Sequence, residues 1–98
     1  MAWLEIIEIR AVGSNRELLA LQLQYLCDDL KKNADLDDVK IYKRVTLDTD
    51  YSIHLFHNSQ KADTGCSPIC IRLIPALKDF GLVNHTEWIE KSNGSHLE

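Results

Sequence analysis

Hydrophobic and polar positions alternate at the start of the chain. In Trp3 to Ala11, WLEIIEIRA, Ile7 and Ile9 fall on one side and Glu8 and Arg10 on the other. That period of two predicts a half-buried strand, ended by Gly13. From Ser14 the period lengthens. Leu19, Leu23, Leu26 and Leu30 recur at helical spacing, flanked by Leu18, Leu21 and Tyr25. Ser14 and Glu17 have the spacing of a capping box, in which each side chain satisfies a free N–H of the other's backbone. Lys31 and Lys32 close the segment, where cations suit the helix dipole. The apolar stripe of this helix is wider than one sheet face needs, which points to a second contact surface.

After the polar connector NADLDD, two alternating runs follow, 39–47 (VKIYKRVTL) and 51–57 (YSIHLFH), separated by the turn-forming residues DTD. This predicts a β-hairpin. The segment NSQKADTG then reads as a polar loop. Ser67 and Pro68 suit the N-cap and first position of a second helix: serine accepts from a free N–H, and proline has none to leave orphaned. That helix is expected to run through ICIRLIPALKDF, weakened or kinked at Pro75, and to stop at Gly81 as a left-handed C-cap. Residues 82–91, LVNHTEWIEK, form the last strand.

The order is therefore βαββαβ in a single domain over residues 1–91, with residues 92–98 a flexible tail whose final LE has the look of a cloning remnant. Right-handed crossovers favour the ferredoxin-like α+β fold, a four-stranded antiparallel sheet with both helices on one face. Alternation then assigns the faces. Ile7, Ile9, Val39, Ile41, Val45, Leu47, Ile53 and Leu55 face the helices. Leu4, Ile6, Glu8, Arg10, Tyr42, Arg44, Thr46, Ser52, His54 and Phe56 face away. In the last strand either His85 and Glu87 or Thr86 and Trp88 join the open face, and Trp88 is a lumen wall or, with greater weight, a core residue. Half apolar and half ionisable, the open face suits a cavity rather than plain solvent exposure or a flat buried interface.

Composition narrows the function classes. The 98 residues carry 11 Lys and Arg against 15 Asp and Glu, a net charge of −4. The basic pairs Lys31-Lys32 and Lys43-Arg44 lie apart, so the chain lacks the clustered cations that replace counterions on nucleic acid. The RNA-recognition fold shares this element order but displays stacking aromatics on its first and third strands, where this sequence offers Phe56 and little else. No run approaches the about 18 apolar residues of a membrane span, and Glu5, Glu8 and Arg10 interrupt any leader-like segment. Three cysteines, an odd number, fit reduced thiols in the cytoplasm. Asn93-Gly94-Ser95 matches a glycosylation pattern that has no use there.

The element order, the YSIHLFH strand and the closing FGLVNHTEWIE resemble the dimeric α+β barrel superfamily over about residues 3–91. That superfamily includes antibiotic-biosynthesis-type monooxygenases and small stress-related barrel proteins. The resemblance implies a homodimer whose sheets pack face to face, and a small-molecule ligand. No cofactor is expected. On the open face, Glu8, Arg10, Tyr42, Arg44, Phe56 and Trp88 are the candidate ligand-binding residues. His54 among them is the candidate acid or base, able to take a proton from a phenol-like or enol-like substrate. Simple ligand binding and a purely structural dimer are the other readings.

A metal site built from His54, His57, Cys66 and Cys70 is disfavoured. Residues three apart on a strand point to opposite faces, and a tight two-residue knuckle on each side is lacking, because three residues separate Cys66 from Cys70. Cys66 and Cys70 lie near a helix start, which lowers thiol pKa values and would favour reactivity, whereas burial would make them inert. Cys27, among leucines, is read as packing.

Overall fold

The computed structural model describes residues 3–58 and 65–91. The expected polar loop falls largely on 59–64, and the expected tail on 92–98; both lie outside the described residues. Strand β1 spans Trp3–Ala11, helix α1 Arg16–Leu30, β2 Leu36–Lys43, β3 Asp50–His57, α2 Pro68–Lys78 and β4 Gly81–Ile89. The four strands form one antiparallel sheet in the order β2-β3-β1-β4, so the fold is ferredoxin-like α+β. Ile7, Ile9, Val39, Ile53 and Leu55 pack beneath Leu19, Leu23, Leu73 and Leu77 of the helices. Burying each such side chain stabilises the fold by about 1.5–3 kcal/mol.

Several local expectations are revised. Helix α1 starts one residue later than a Ser14 cap would place it. Asn15 is the N-cap, and no side chain caps it. The Asn15 amide is instead turned to donate to the Phe80 carbonyl, tying the start of α1 to the end of α2. Leu18, Leu21 and Tyr25, which widen the apolar stripe of α1, stay exposed.

Strand β2 begins three residues before Val39 and ends at Lys43, with a bulge between Leu36 and Asp38. The hairpin closes early because the Arg44 N–H donates to the Asp50 carbonyl and the Asp50 N–H to that of Leu47. Val45 is consequently 99% exposed rather than packed under a helix, and Leu47 is exposed as well.

Ser67 caps α2 as expected, accepting from the Cys70 N–H at 3.1 Å. Pro75 sits inside a helix that is continuous from Pro68 to Lys78. Gly81 is not the left-handed cap: only Gly13 and Gly65 have positive φ among the described residues. Gly81 opens β4 instead, where a Cβ would lie 1.9 Å from the Arg10 carbonyl oxygen.

Candidate functional site

The open face carries Leu4, Ile6, Glu8 and Arg10 from β1, Lys40 and Tyr42 from β2, and Ser52, His54 and Phe56 from β3. The register pairs Ile6 with His54, Lys40 with His54 and Tyr42 with Ser52. Strand β4 resolves the remaining ambiguity. Leu4 pairs with Trp88 and Ile6 with Thr86, so Trp88 and Thr86 share the open face, while His85, opposite Ile7, turns to the helices. Trp88 is 55% exposed and is not a core residue. The buried tryptophan is Trp3. Thus Glu8, Arg10, Tyr42, Arg44, His54, Phe56 and Trp88 all lie on or at the rim of one surface.

That surface is polarised. At one end Arg10 holds Asp50 through two hydrogen bonds of 2.9 and 3.1 Å, and Arg44 reaches the same carboxylate at 3.4 Å. The Arg10 guanidinium keeps the Asp50 carboxyl below its ordinary range, and Asp50 in turn raises that of Arg10. A groove of about 450 Å³ opens here, edged by Glu8, Tyr42 and Asn84. At the other end a second groove of about 420 Å³ is lined by Leu4, Phe56, Trp88 and Lys40. Between them, His54 Nε2 lies 3.1 Å from the Ser52 hydroxyl, with the Tyr42 ring edge-on at 4.7 Å and Phe56 at 6.4 Å. Burial lowers the His54 pKa from its ordinary 6.5, Glu8 opposes that shift, and Lys40 adds to it. The ring is therefore neutral at pH 7 and has a lone pair to take a proton.

The opposite face holds a second constellation that the alternation argument passed over. Glu5 shares its side of β1 with Trp3, Ile7 and Ile9, and its side chain is fully buried. It lies across from Leu55 and Glu87, so His57 and His85, two residues further on, are its diagonal neighbours. One carboxylate oxygen takes His57 Nε2 at 2.6 Å and the Ser67 hydroxyl; the other takes the Ser67 N–H at 3.0 Å and His85 Nε2 at 2.9 Å. Burial raises the Glu5 pKa, but the hydrogen bonds from His57, Ser67 and His85 outweigh it and bring the group down to about 2. An ionised carboxylate only accepts, so both histidines present Nε2–H to it. The Trp3 indole stacks on the His57 imidazole at 3.9 Å and 9°. His57, the last residue of β3, thus points away from His54, as their spacing implied.

Cys66 and Cys70 border this cluster, and Cys66 Sγ is 3.7 Å from His85 Nδ1. The expectation that the helix start lowers the thiol pKa is reversed at Cys70. Burial, reinforced by the nearby Glu5 carboxylate, pushes that thiol up. Cys27 is half-buried against the core. Among the described residues, the groups placed to hold a metal are Cys66, Cys70 and His85, and Glu5, His85 and Glu87; within each the ligand atoms lie within 4.8 Å of one another. The signal for this cluster was present in the first strand: an acid at position 5 on the face set by Ile7 and Ile9.

No known family model matches the chain, and no curated protein does. Solved structures do match. The Mycobacterium tuberculosis protein Rv0793 is 12% identical with a TM-score of 0.74, covering 97% of this chain and 100% of its own. A putative antibiotic biosynthesis monooxygenase from Deinococcus radiodurans is 11% identical with a TM-score of 0.74, over 98% and 99% of the two chains. The cofactor-independent oxygenase SnoaB from Streptomyces nogalater, in a mutant form, is 9% identical with a TM-score of 0.69, over 97% and 98%. No helix among the described residues is long and apolar enough to cross a membrane. End to end, this chain is similar in fold to those proteins.

Proposed function

We propose that the chain acts as a homodimeric α+β barrel that binds a flat, largely apolar small molecule bearing one acidic group. The observation that carries this reading is the polarity of the open face. Leu4, Phe56 and Trp88 supply apolar contact at one end, and Arg10 and Arg44 share the single carboxylate of Asp50 at the other. Two guanidiniums on one carboxylate leave a positive charge to offer an anion. Leu4 and Arg10, six residues apart on β1, are separated by about 20 Å, enough for a fused-ring compound lying along the strand. A second copy closing over this face would keep Trp88 and Phe56 from water. The free thiols of Cys27, Cys66 and Cys70 support a cytoplasmic home.

Sedimentation of untagged protein tests the assembly. A dimer is expected at micromolar concentration, and Trp88→Arg should shift it to monomer by placing a charge in the closing surface. A wild-type monomer removes the barrel reading. Thermal-shift titration with fused-ring phenols and their uncharged methyl ethers tests the ligand. The phenols should raise the melting temperature, and Arg10→Gln should cut affinity about tenfold, a loss of about 1.4 kcal/mol. Equal binding of the methyl ethers would remove the charge argument.

A second reading, cofactor-free oxidation, is favoured by the neutral imidazole of His54 between the two grooves, and by the likeness in fold to the cofactor-independent oxygenase SnoaB. In it His54 removes a proton from the bound phenol or enol, and the resulting electron-rich carbon reacts with dioxygen. For any compound turned over, His54→Ala is expected to lower kcat by about 10²–10⁴-fold. The rate should also fall below pH 6.5 in the wild type as the ring gains its proton. An unchanged rate in the variant would exclude His54 as the base.

A further inference from the structure

On the helix-covered side of the sheet, remote from the proposed ligand face, we propose that Cys66, Cys70 and His85 form a binding site for a thiophilic divalent cation of the zinc type, with Glu5 as the group that orients the histidine. The three ligand atoms already lie within 4.8 Å of one another. Tetrahedral zinc, with Zn–S of about 2.3 Å and Zn–N of about 2.05 Å, requires an S···N separation of about 3.6 Å; Cys66 Sγ and His85 Nδ1 are 3.7 Å apart. The cation therefore fits with little movement of that pair.

The tautomer of His85 suits the same ion. Glu5 accepts from His85 Nε2, so Nε2 carries the hydrogen and Nδ1 keeps its lone pair, on the side facing Cys66. A carboxylate holding one imidazole nitrogen while the other ligates is the recurrent arrangement around protein-bound zinc. Glu5 itself is not a ligand. Its two oxygens accept four hydrogen bonds, from His57, Ser67 Oγ, the Ser67 N–H and His85, which occupies its lone pairs. The alternative set of Glu5, His85 and Glu87 would have to break those bonds.

The donor set decides the metal class. Two thiolates and one imidazole select zinc-like, tetrahedral ions over magnesium or calcium, which take oxygen ligands. Two thiolates also balance the charge of a dication, so the buried site gains no net charge when both thiols give up their protons. Three protein ligands leave a fourth position. Cys66 is only half-buried, so water or a ligand atom can reach that position.

The test uses the full chain, free of any histidine tag and fully reduced, titrated with cobalt(II) as an optical substitute for zinc. One equivalent should bind, with thiolate-to-cobalt charge-transfer absorption and the intense d–d bands of tetrahedral geometry, and zinc should displace it. Cys66→Ser and His85→Ala should each weaken binding by at least about 100-fold. Glu5→Gln should weaken it about 10–100-fold, while Cys27→Ser should change nothing. Cys66 lies outside the helix, so Cys66→Ser is the variant expected to keep the fold, and circular dichroism checks that it does. The absence of a thiolate band in reduced, folded protein would overturn the proposal. So would a band that survives both Cys66→Ser and His85→Ala, or one that disappears in Cys27→Ser.

Discussion

Glu5→Ala is expected to lose about 3–5 kcal/mol of folding stability, a large share of the margin that holds a 98-residue domain folded. The cost comes from the donors left behind. His57, His85 and both donors of Ser67 converge on a carboxylate that is itself fully buried, and truncation leaves each without its acceptor. Glu5→Gln keeps the shape but brings an NH₂ group against donors, so it should recover only part of the loss. Urea midpoints of the two variants measure this; losses below about 1 kcal/mol in both would mean the cluster does not hold the fold.

The same group predicts a pH dependence. The folded pKa of Glu5, about 2, lies below its ordinary 4.5, so its contribution is complete above pH 4.5 and disappears as the pH falls toward 2. That difference is worth about 3 kcal/mol. Wild-type stability should drop across this acid window, and Glu5→Gln should show a correspondingly flatter profile. Parallel profiles would assign the acid sensitivity to other carboxylates.

Gly81→Ala is expected to cost about 2–4 kcal/mol, more than its small size suggests. A Cβ there would stand 1.9 Å from the Arg10 carbonyl oxygen and 2.7 Å from its carbon, both backbone atoms of the adjacent strand. No rotamer can relieve that contact, so the two strands must part. Parting them strains the Ala11–Gly81 pair and the neighbouring bond from the Val12 N–H to the Phe80 carbonyl. Gly13→Ala is the contrast: nothing lies within 4 Å of its Cβ, and the only penalty is its φ of +61°, about 1 kcal/mol. Thermal melts of the pair distinguish the mechanisms. Equal shifts would mean that β4 yields freely at its first residue.

The element order, the strand faces of β1 and β3 and the Ser-Pro start of α2 were legible because each depends on neighbours in sequence. What was not legible depends on partners far away. Whether His85 or Trp88 lines the open face is decided by the pairing of β4 with β1, at the other end of the chain, and no local pattern in LVNHTEWIEK encodes it. The early start of β2 was hidden by Asp37 and Asp38, which read as loop until a bulge lets them sit at the start of a strand. Val45 and Leu47 misled in the other direction, since apolar character alone cannot show that a hairpin has already closed. Glu5 was readable but carried no label: an acid on an apolar strand face shows that something polar must meet it, not that two histidines and a helix cap do.

The two tryptophans of the chain sit on opposite sides of the same sheet, Trp3 buried against an imidazole and Trp88 largely in solvent. Each face therefore carries its own intrinsic fluorophore. Light emitted from the dry side reports on the histidine–carboxylate cluster, while emission from the wet side responds to whatever covers the open surface. With Trp88→Phe or Trp3→Phe removing one emitter at a time, events on the two faces can be followed separately in one cuvette without an added dye.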